Sequence, residues 1–237
     1  MSKPLTGLFI TGTDTNVGKT HIACQIARQL IAEGFTPIPR KPVESGCKQR
    51  GNELIPADAL ALQQACHSHE SLQQICRFPL KAAISPAEAA RLEHQHILLE
   101  DLHAACTNIS EETLNNAEPL LLLEGAGGFY SPLCEDGLNA DLAEKLALPV
   151  ILVAEDRLGC INHILLSIQA IQSRNLVLLA VVLNQISATD TLMNNAHELG
   201  KLVSVPIIQS SDDLDDILNS ELLNTLHTSI ADTLISD

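Results

Sequence analysis

Aromatic residues are almost missing: no Trp, one Tyr and four Phe occur among 237 residues. A core must then be assembled from Leu, Ile, Val and Ala, and an apolar content of 46% is ample for one. Positive charge is also scarce. Lys and Arg number 14 against 29 Asp and Glu, leaving a formal net charge of −15. No run of basic residues interrupts that balance. Such a surface repels nucleic acid and anionic membranes, so neither is an expected partner. No C-x-x-C spacing occurs among the seven cysteines, Cys24, Cys47, Cys66, Cys76, Cys106, Cys134 and Cys160. An odd number at wide spacing argues against a disulfide framework or a zinc ribbon, and for reduced thiols in a cytoplasmic protein. Long apolar runs are absent too. The first apolar stretch, Leu5 to Ile10, is short and lacks a signal-peptide pattern, and no run is long enough to cross a bilayer. The expectation is one soluble α/β domain over 1–237.

What is present comes in two lengths. Short β-rich runs are Leu8–Thr11, Pro37–Val43, Leu120–Leu123, Val150–Ala154, Leu176–Leu183 and Val203–Ile208. Longer stretches have helical period: Thr20–Glu33, with Ile22, Ile26, Ala27, Leu30 and Ile31 on one face, and Asn162–Ser173, with Ile164, Leu165, Ile168 and Ile171. The strands read as continuous apolar runs rather than alternating ones. That fits strands buried on both faces, hence a doubly wound, mainly parallel sheet flanked by helices. Ligands in such sheets sit beyond the C-terminal strand ends. Region 57–118 reads as mostly helical, with Ser85 as a cap, Pro86 at the first helical position and Glu88 completing a capping box. The acidic piece Asp212–Asp216 reads as another helix start.

The polar residues at strand ends carry the chemistry. Thr11-Gly12-Thr13-Asp14-Thr15-Asn16-Val17-Gly18-Lys19-Thr20 resembles a phosphate-binding loop between a strand and a helix. Five residues separate Gly12 from Gly18 where the usual pattern has four, and Thr13 stands at the usual first glycine. Backbone N–H groups at the helix start would face the anion, Lys19 would reach the β- and γ-phosphates, and the Thr20 hydroxyl would meet Mg²⁺. Lys41, within Arg40-Lys41-Pro42-Val43-Glu44-Ser45-Gly46, is either a solvated strand-end lysine or a clamp on developing phosphoryl charge. Asp58 is a helix cap or a metal ligand. Glu124 leaves a four-leucine strand and opens the glycine-rich turn Gly125-Ala126-Gly127-Gly128, the place where a magnesium-holding acid is expected. Leu158-Gly159-Cys160-Ile161-Asn162-His163 is a helix start, capped by Asn162, that could receive a carboxylate. Asn184 ends a strand and could pair with an adenine edge, or simply sit in a turn. The pairs His67/His69 and His94/His96 have a spacing that splits them between helix faces and read as solvated.

Taken together, "GTDTNVGKT" at 12–20, "KPVESG" at 41–46, Asp58, "EGAGG" at 124–128, "LGCINH" at 158–163 and Asn184 resemble the dethiobiotin synthase family of P-loop ATP-dependent enzymes. The resemblance runs from residue 5 to about 210, and the longer loop spacing is typical of that family. It implies ring closure of 7,8-diaminopelargonic acid with CO₂ at the expense of ATP, through a carbamate and a carbamic–phosphoric anhydride. It also implies roles. Lys19 and Lys41 are catalytic, and Thr20, Asp58 and Glu124 hold Mg²⁺. Residues Asn16, Val17, Gly18, Lys19, Thr20 and His21, with Asp58, Glu124, Gly125, Ala126 and Gly127, bind ATP. Asn184 and Gln185, with Pro206, Ile207 and Ile208, complete the adenine side. Ser45 touches the substrate, and Gly159, Cys160 and Asn162 of a neighbouring subunit in a homodimer receive its carboxylate. Two positions depart from the family: Asn16, where an acid is frequent, and Ala87, where a His often follows Ser-Pro. Competing classes are a partition or positioning ATPase, which would carry a further Lys near Thr13, and a related synthetase acting on another substrate. A cobyrinate-type synthetase carries an additional glutaminase domain, which is not expected within these 237 residues.

Overall fold

A computed structural model describes residues 6–114, 118–186 and 194–210. The acidic piece at 212–216 lies outside the described residues. In chain order, β1 (Gly7–Gly12) leads to α1 (Lys19–Ala32), β2 (Thr36–Arg40), β3 (Val43–Glu44), β4 (Lys48–Arg50), β5 (Glu53–Ile55) and α2 (Ala57–Ala65). Then come α3 (Leu72–Ile75), β6 (Phe78–Pro79), α4 (Pro86–Leu92), α5 (Leu99–Thr107) and α6 (Glu111–Leu114). The rest are β7 (Pro119–Gly128), β8 (Pro132–Cys134), β9 (Gly137–Leu138), α7 (Asn139–Leu146), β10 (Val150–Glu155), α8 (Cys160–Ser173), β11 (Leu178–Asn184), α9 (Asn195–Gly200) and β12 (Ile207–Ser210).

Six strands form one parallel sheet in the order β12-β11-β10-β1-β7-β2. The fold is therefore the doubly wound α/β sheet that the continuous apolar runs predict. Successive side chains on a strand point to opposite faces, and both faces are covered. Leu8, Ile10, Leu120, Leu122, Ile151 and Val153 pack with α1 and α2. Phe9, Leu121, Leu123, Val150, Leu152 and Ala154 pack on the other face, with α7 and α8. The chain moves from β1 outward to β2, inserts β7 between them, then crosses to β10 on the far side of β1. Strand order thus reverses at β1, and a crevice opens at the C-terminal ends of its neighbours.

Region 57–118 carries α2 to α6, each of nine residues or fewer, with β6 as its one short strand among the described residues, which is the mostly helical segment expected. Three local expectations are corrected. The glycine-rich segment after Glu124 is not a simple turn: β7 continues to Gly128, with a register shift against β1 between Ile10 and Gly12. Ser85 and Pro86 do start α4, but Glu88 completes no capping box; it pairs instead with Arg91. Asn162 is not a cap, since Gly159 takes that position and Asn162 is the third helical residue of α8.

The seven cysteines are free and buried. No helix among the described residues is long and apolar enough to cross a membrane.

Candidate active site

β1 delivers the phosphate loop. Gly18 is the N-cap of α1 with φ 91, a left-handed conformation that an L side chain resists, and a Cβ there would lie 1.9 Å from Asn184 Nδ2. Asn184 is buried at the end of β11, and its Nδ2 donates to the Val17 carbonyl at 3.0 Å. The side chain therefore fastens the loop from β11, which lies beyond β10 in the sheet. Asn16, with φ 61, occupies the left-handed region, where Asn is among the best-tolerated residues. The side chain of Lys19 folds back so that Nζ donates to the Asp14 carbonyl at 2.9 Å. Burial, and then the charge of Lys41, lowers its ammonium to about 8. The negative charge of a bound polyphosphate would offset both effects.

β2 ends in two cations with opposite tasks. Arg40 is fully buried and forked onto Glu70, with NH1 and NH2 donating at 2.6 and 2.9 Å. Lys41 points the other way. Its Nζ donates to Glu124 Oε1 at 2.6 Å and to the Gly125 carbonyl at 3.0 Å, and pairs with Asp58 Oδ2 at 3.2 Å. Burial works to lower the Lys41 ammonium, but Glu124 and Asp58 outweigh it and hold the group above the ordinary lysine range. At neutral pH it is a fixed cation, so its chemistry is electrostatic rather than basic. Asp58 is the second helical residue of α2, whose N-cap is Pro56.

The Thr20 hydroxyl donates to Glu124 Oε1 at 2.9 Å. The other carboxylate oxygen, Oε2, is buried with no hydrogen-bond partner. An orphaned anionic oxygen is costly, and here it adjoins a hydroxyl and a second carboxylate. That set of hard oxygens fits magnesium. Magnesium takes only one or two carboxylates and completes its shell with water and phosphate oxygens.

These parts share one cavity of about 380 Å³, lined by loop residues Thr15 to Thr20, by Lys41, Glu44, Ser45, Asp58 and Glu124, and by Ala126 and Gly127. Val17 and Gly125 sit behind that lining. Two holding residues were assigned no role from the sequence, although Glu44 lies within the segment 41–46. Asn139 is buried at the start of α7, where Oδ1 accepts from Ala126 N–H at 2.9 Å and Nδ2 donates to the carbonyls of Ala126 and Gly128. A Cβ on Gly125 would lie 2.5 Å from Asn139 Oδ1, so the close approach requires glycine there. Glu44 caps α2, accepting from the N–H groups of Asp58 and Ala59.

Other expected site residues lie elsewhere. Gly159, Cys160 and Asn162 are outside this cavity, at the start of α8 on the opposite face of the sheet from α1. His21 is exposed on α1. Gln185 follows Asn184 at the C-terminal edge, where its N–H donates to the Ser210 carbonyl. Pro206, Ile207 and Ile208 are not brought to that edge. Val181 N–H donates to the Pro206 carbonyl, and Asn184 is in register with Ser210. Pro206 is therefore at the far end of β12, and Ser210 is the residue that meets Asn184, with Oγ 3.4 Å from Oδ1.

Comparison with known proteins follows the same lines. A family model described as an AAA domain matches residues 6–218. The ATP-dependent dethiobiotin synthetase of Vesicomyosocius okutanii is 37% identical over 231 residues, covering 98% of this chain and 98% of that protein. That of Ruthia magnifica is 38% identical over 85% of this chain and 89% of its own length. That of Anaeromyxobacter sp. strain Fw109-5 is 41% identical over 78% of each.

Proposed function

Since the chain belongs to the ATP-dependent dethiobiotin synthetase family, an enzyme family of ligases, we propose that it closes the cyclic urea of dethiobiotin from 7,8-diaminopelargonic acid, CO₂ and ATP. The observation that carries this reading is the position of Lys41, a buried ammonium between two carboxylates beside the phosphate loop.

In the proposed sequence, one substrate amine adds to CO₂ and loses a proton, giving a carbamate. A carbamate oxygen attacks the γ-phosphorus and ADP departs, leaving a carbamic–phosphoric anhydride. The second amine attacks the carbamoyl carbon and loses a proton to the departing phosphate or to solvent, while the C–O bond to phosphate breaks and phosphate leaves with its electron pair. Phosphorylation is needed because an unmodified carbamate oxygen is a poor leaving group. Lys19 and the N–H groups of residues 16–20 hold the triphosphate at the start of α1. The Lys41 ammonium stabilises charge on the γ-phosphoryl and carbamate oxygens, without any proton transfer. Magnesium, when held by Thr20, Asp58 and Glu124, would neutralise and orient the phosphates. Ser45 lines the same cavity and suits the substrate side. The start of α8 would receive the substrate carboxylate in a neighbouring subunit of a homodimer. The exposure of Leu158 (82%) and Leu166 (57%) around it supports a covered face.

The test is phosphate release with ATP, Mg²⁺ and bicarbonate, with and without the diamine. Release is expected only when the diamine is present. Hydrolysis indifferent to the diamine would favour a nucleotide switch and remove this reading.

A further inference from the structure

Glu44 faces the cavity from between Lys41 and Ser45, and its carboxylate is committed to backbone rather than to side chains. Oε1 accepts from Asp58 N–H at 3.1 Å and Oε2 from Ala59 N–H at 3.0 Å. α2 has no side-chain cap of its own, because Pro56 holds the N-cap position. The other end of Glu44 is fixed as well. Its carbonyl accepts from Leu80 N–H at 2.7 Å and from Cys47 Sγ at 3.2 Å, and its strand is in register with Pro79 of β6. Glu44 is thus a rigid link between the β3–β6 pair and the first turn of α2. That turn carries Asp58, whose Oδ2 meets Lys41 Nζ.

We propose that Glu44 is a positioning residue, holding the first turn of α2 so that Asp58 faces Lys41 and the cation side of the cavity. A carboxylate suits this task because two parallel N–H donors and the positive end of the helix both favour it. A glutamine keeps one carbonyl acceptor, and an alanine keeps none. The inference rests on the reading of Asp58 as a magnesium-holding residue. Its test uses ADP binding and backbone exchange, neither of which requires the diamine.

Glu44→Ala, Glu44→Gln and Asp58→Ala are compared with the parent chain by amide hydrogen exchange at residues 57–62, and by calorimetric titration with ADP in Mg²⁺ and in EDTA. In Glu44→Ala, exchange at the Asp58 and Ala59 amides is expected to accelerate roughly tenfold, the size of a lost cap. Affinity for ADP with Mg²⁺ is expected to fall roughly fivefold, with affinity in EDTA unchanged and Glu44→Gln in between. Unchanged exchange in Glu44→Ala overturns the proposal. So does an equal loss with and without Mg²⁺, which marks a merely structural role. If the alanine variant fails to melt cooperatively, Glu44→Gln decides by the same criterion: its loss must be confined to the Mg²⁺ titration. If Asp58→Ala leaves the Mg²⁺ titration unmoved, the metal reading of Asp58 fails, while the exchange data still judge the cap.

Discussion

α1 and α8 begin in the same way and end up in different surroundings. Each follows a central strand of the sheet, β1 and β10, which are neighbours. Each has a glycine N-cap in the left-handed region, Gly18 at φ 91 and Gly159 at φ 87, and neither has a side-chain cap. Both therefore offer first-turn N–H groups to an anion, although the Cys160 N–H of α8 already donates to the Arg157 carbonyl at 3.1 Å. The difference lies in what surrounds them. Gly18 is pressed against Asn184 and opens onto Lys19, Lys41, Glu124 and Asp58. Gly159 has nothing within 4 Å of where its Cβ would be, and it adjoins an exposed Leu158. The windings of the sheet explain the separation. α1 leaves β1 toward β2 on one face, and α8 leaves β10 toward β11 on the other, as right-handed crossovers in opposite directions require. A helix start offers a charge; only tertiary neighbours decide whether that charge becomes a complete site within one chain.

The largest predicted effect removes the cation that sets the first start apart. Lys41→Ala should lower turnover by about a thousandfold. It should also destabilise the chain by about 3–5 kcal/mol, because Glu124 is left as a buried, unpaired carboxylate. Phosphate-release assays and denaturant melts read the two losses. Retained turnover would take Lys41 out of the reaction. Next comes the direct exchange between the two starts. Gly18→Ala adds a clash to an unfavourable φ and should weaken nucleotide binding on the order of a hundredfold. Gly159→Ala meets open space, so only the φ strain remains, about 1 kcal/mol in stability, with nucleotide binding unchanged. Equal losses at both glycines would erase the distinction.

Asn184 tests how the first start is held. Removing its amide frees the Val17 carbonyl, so Asn184→Ala should weaken ATP and GTP alike, by roughly tenfold. A loss of discrimination between them would instead mark Asn184 as a reader of the base. pH provides a gentler test. Lys19 in the empty site is neutral above about 8, and a bound triphosphate would recharge it. Binding should therefore take up close to one proton above that pH, with affinity falling toward tenfold per pH unit. Calorimetry in buffers of different ionisation enthalpy measures the uptake. A pH-independent affinity between pH 8 and 9.5 would show that the nucleotide does not meet this ammonium.

The contrast between the starts also shows where the sequence is readable. The β1 loop and α1 follow from spacing, and five of the six sheet strands from apolar runs, since both signals are local; the run at 203–208 meets β12 only at Ile207 and Ile208. Lys41, Asp58 and Glu124 are separately ambiguous in the sequence, and their reach toward one another depends on β2, α2 and β7 lying side by side. Glu44 and Asn139 were missed as holding residues because their partners are backbone amides 13 to 15 residues away, which no motif encodes. The β4–β5 hairpin had a signal, Gly51-Asn52 between two short runs. Pro206 was placed on the adenine side by the family resemblance alone, but in a parallel sheet the residue before a strand sits at the edge away from the site.

The smallest effect concerns the second start alone. Asn162 is exposed in the first turn of α8 and makes no cap. If a neighbouring subunit's substrate places its carboxylate there, Asn162→Ala removes one hydrogen bond to an anion that also meets backbone N–H groups. The expected cost is a rise in KM for the diamino acid of roughly threefold, with kcat and the KM for ATP unchanged. The separation of these constants matters more than the size of the change. A carboxylate site remote from the reacting atoms contributes binding equally to ground and transition states, so it moves KM without moving kcat. Esterifying the substrate carboxylate should cost the parent chain more than it costs Asn162→Ala, because the variant has already lost part of that contact. A uniform loss of kcat would place Asn162 in the fold of α8 rather than at the substrate, and α8 would then share only its geometry with α1.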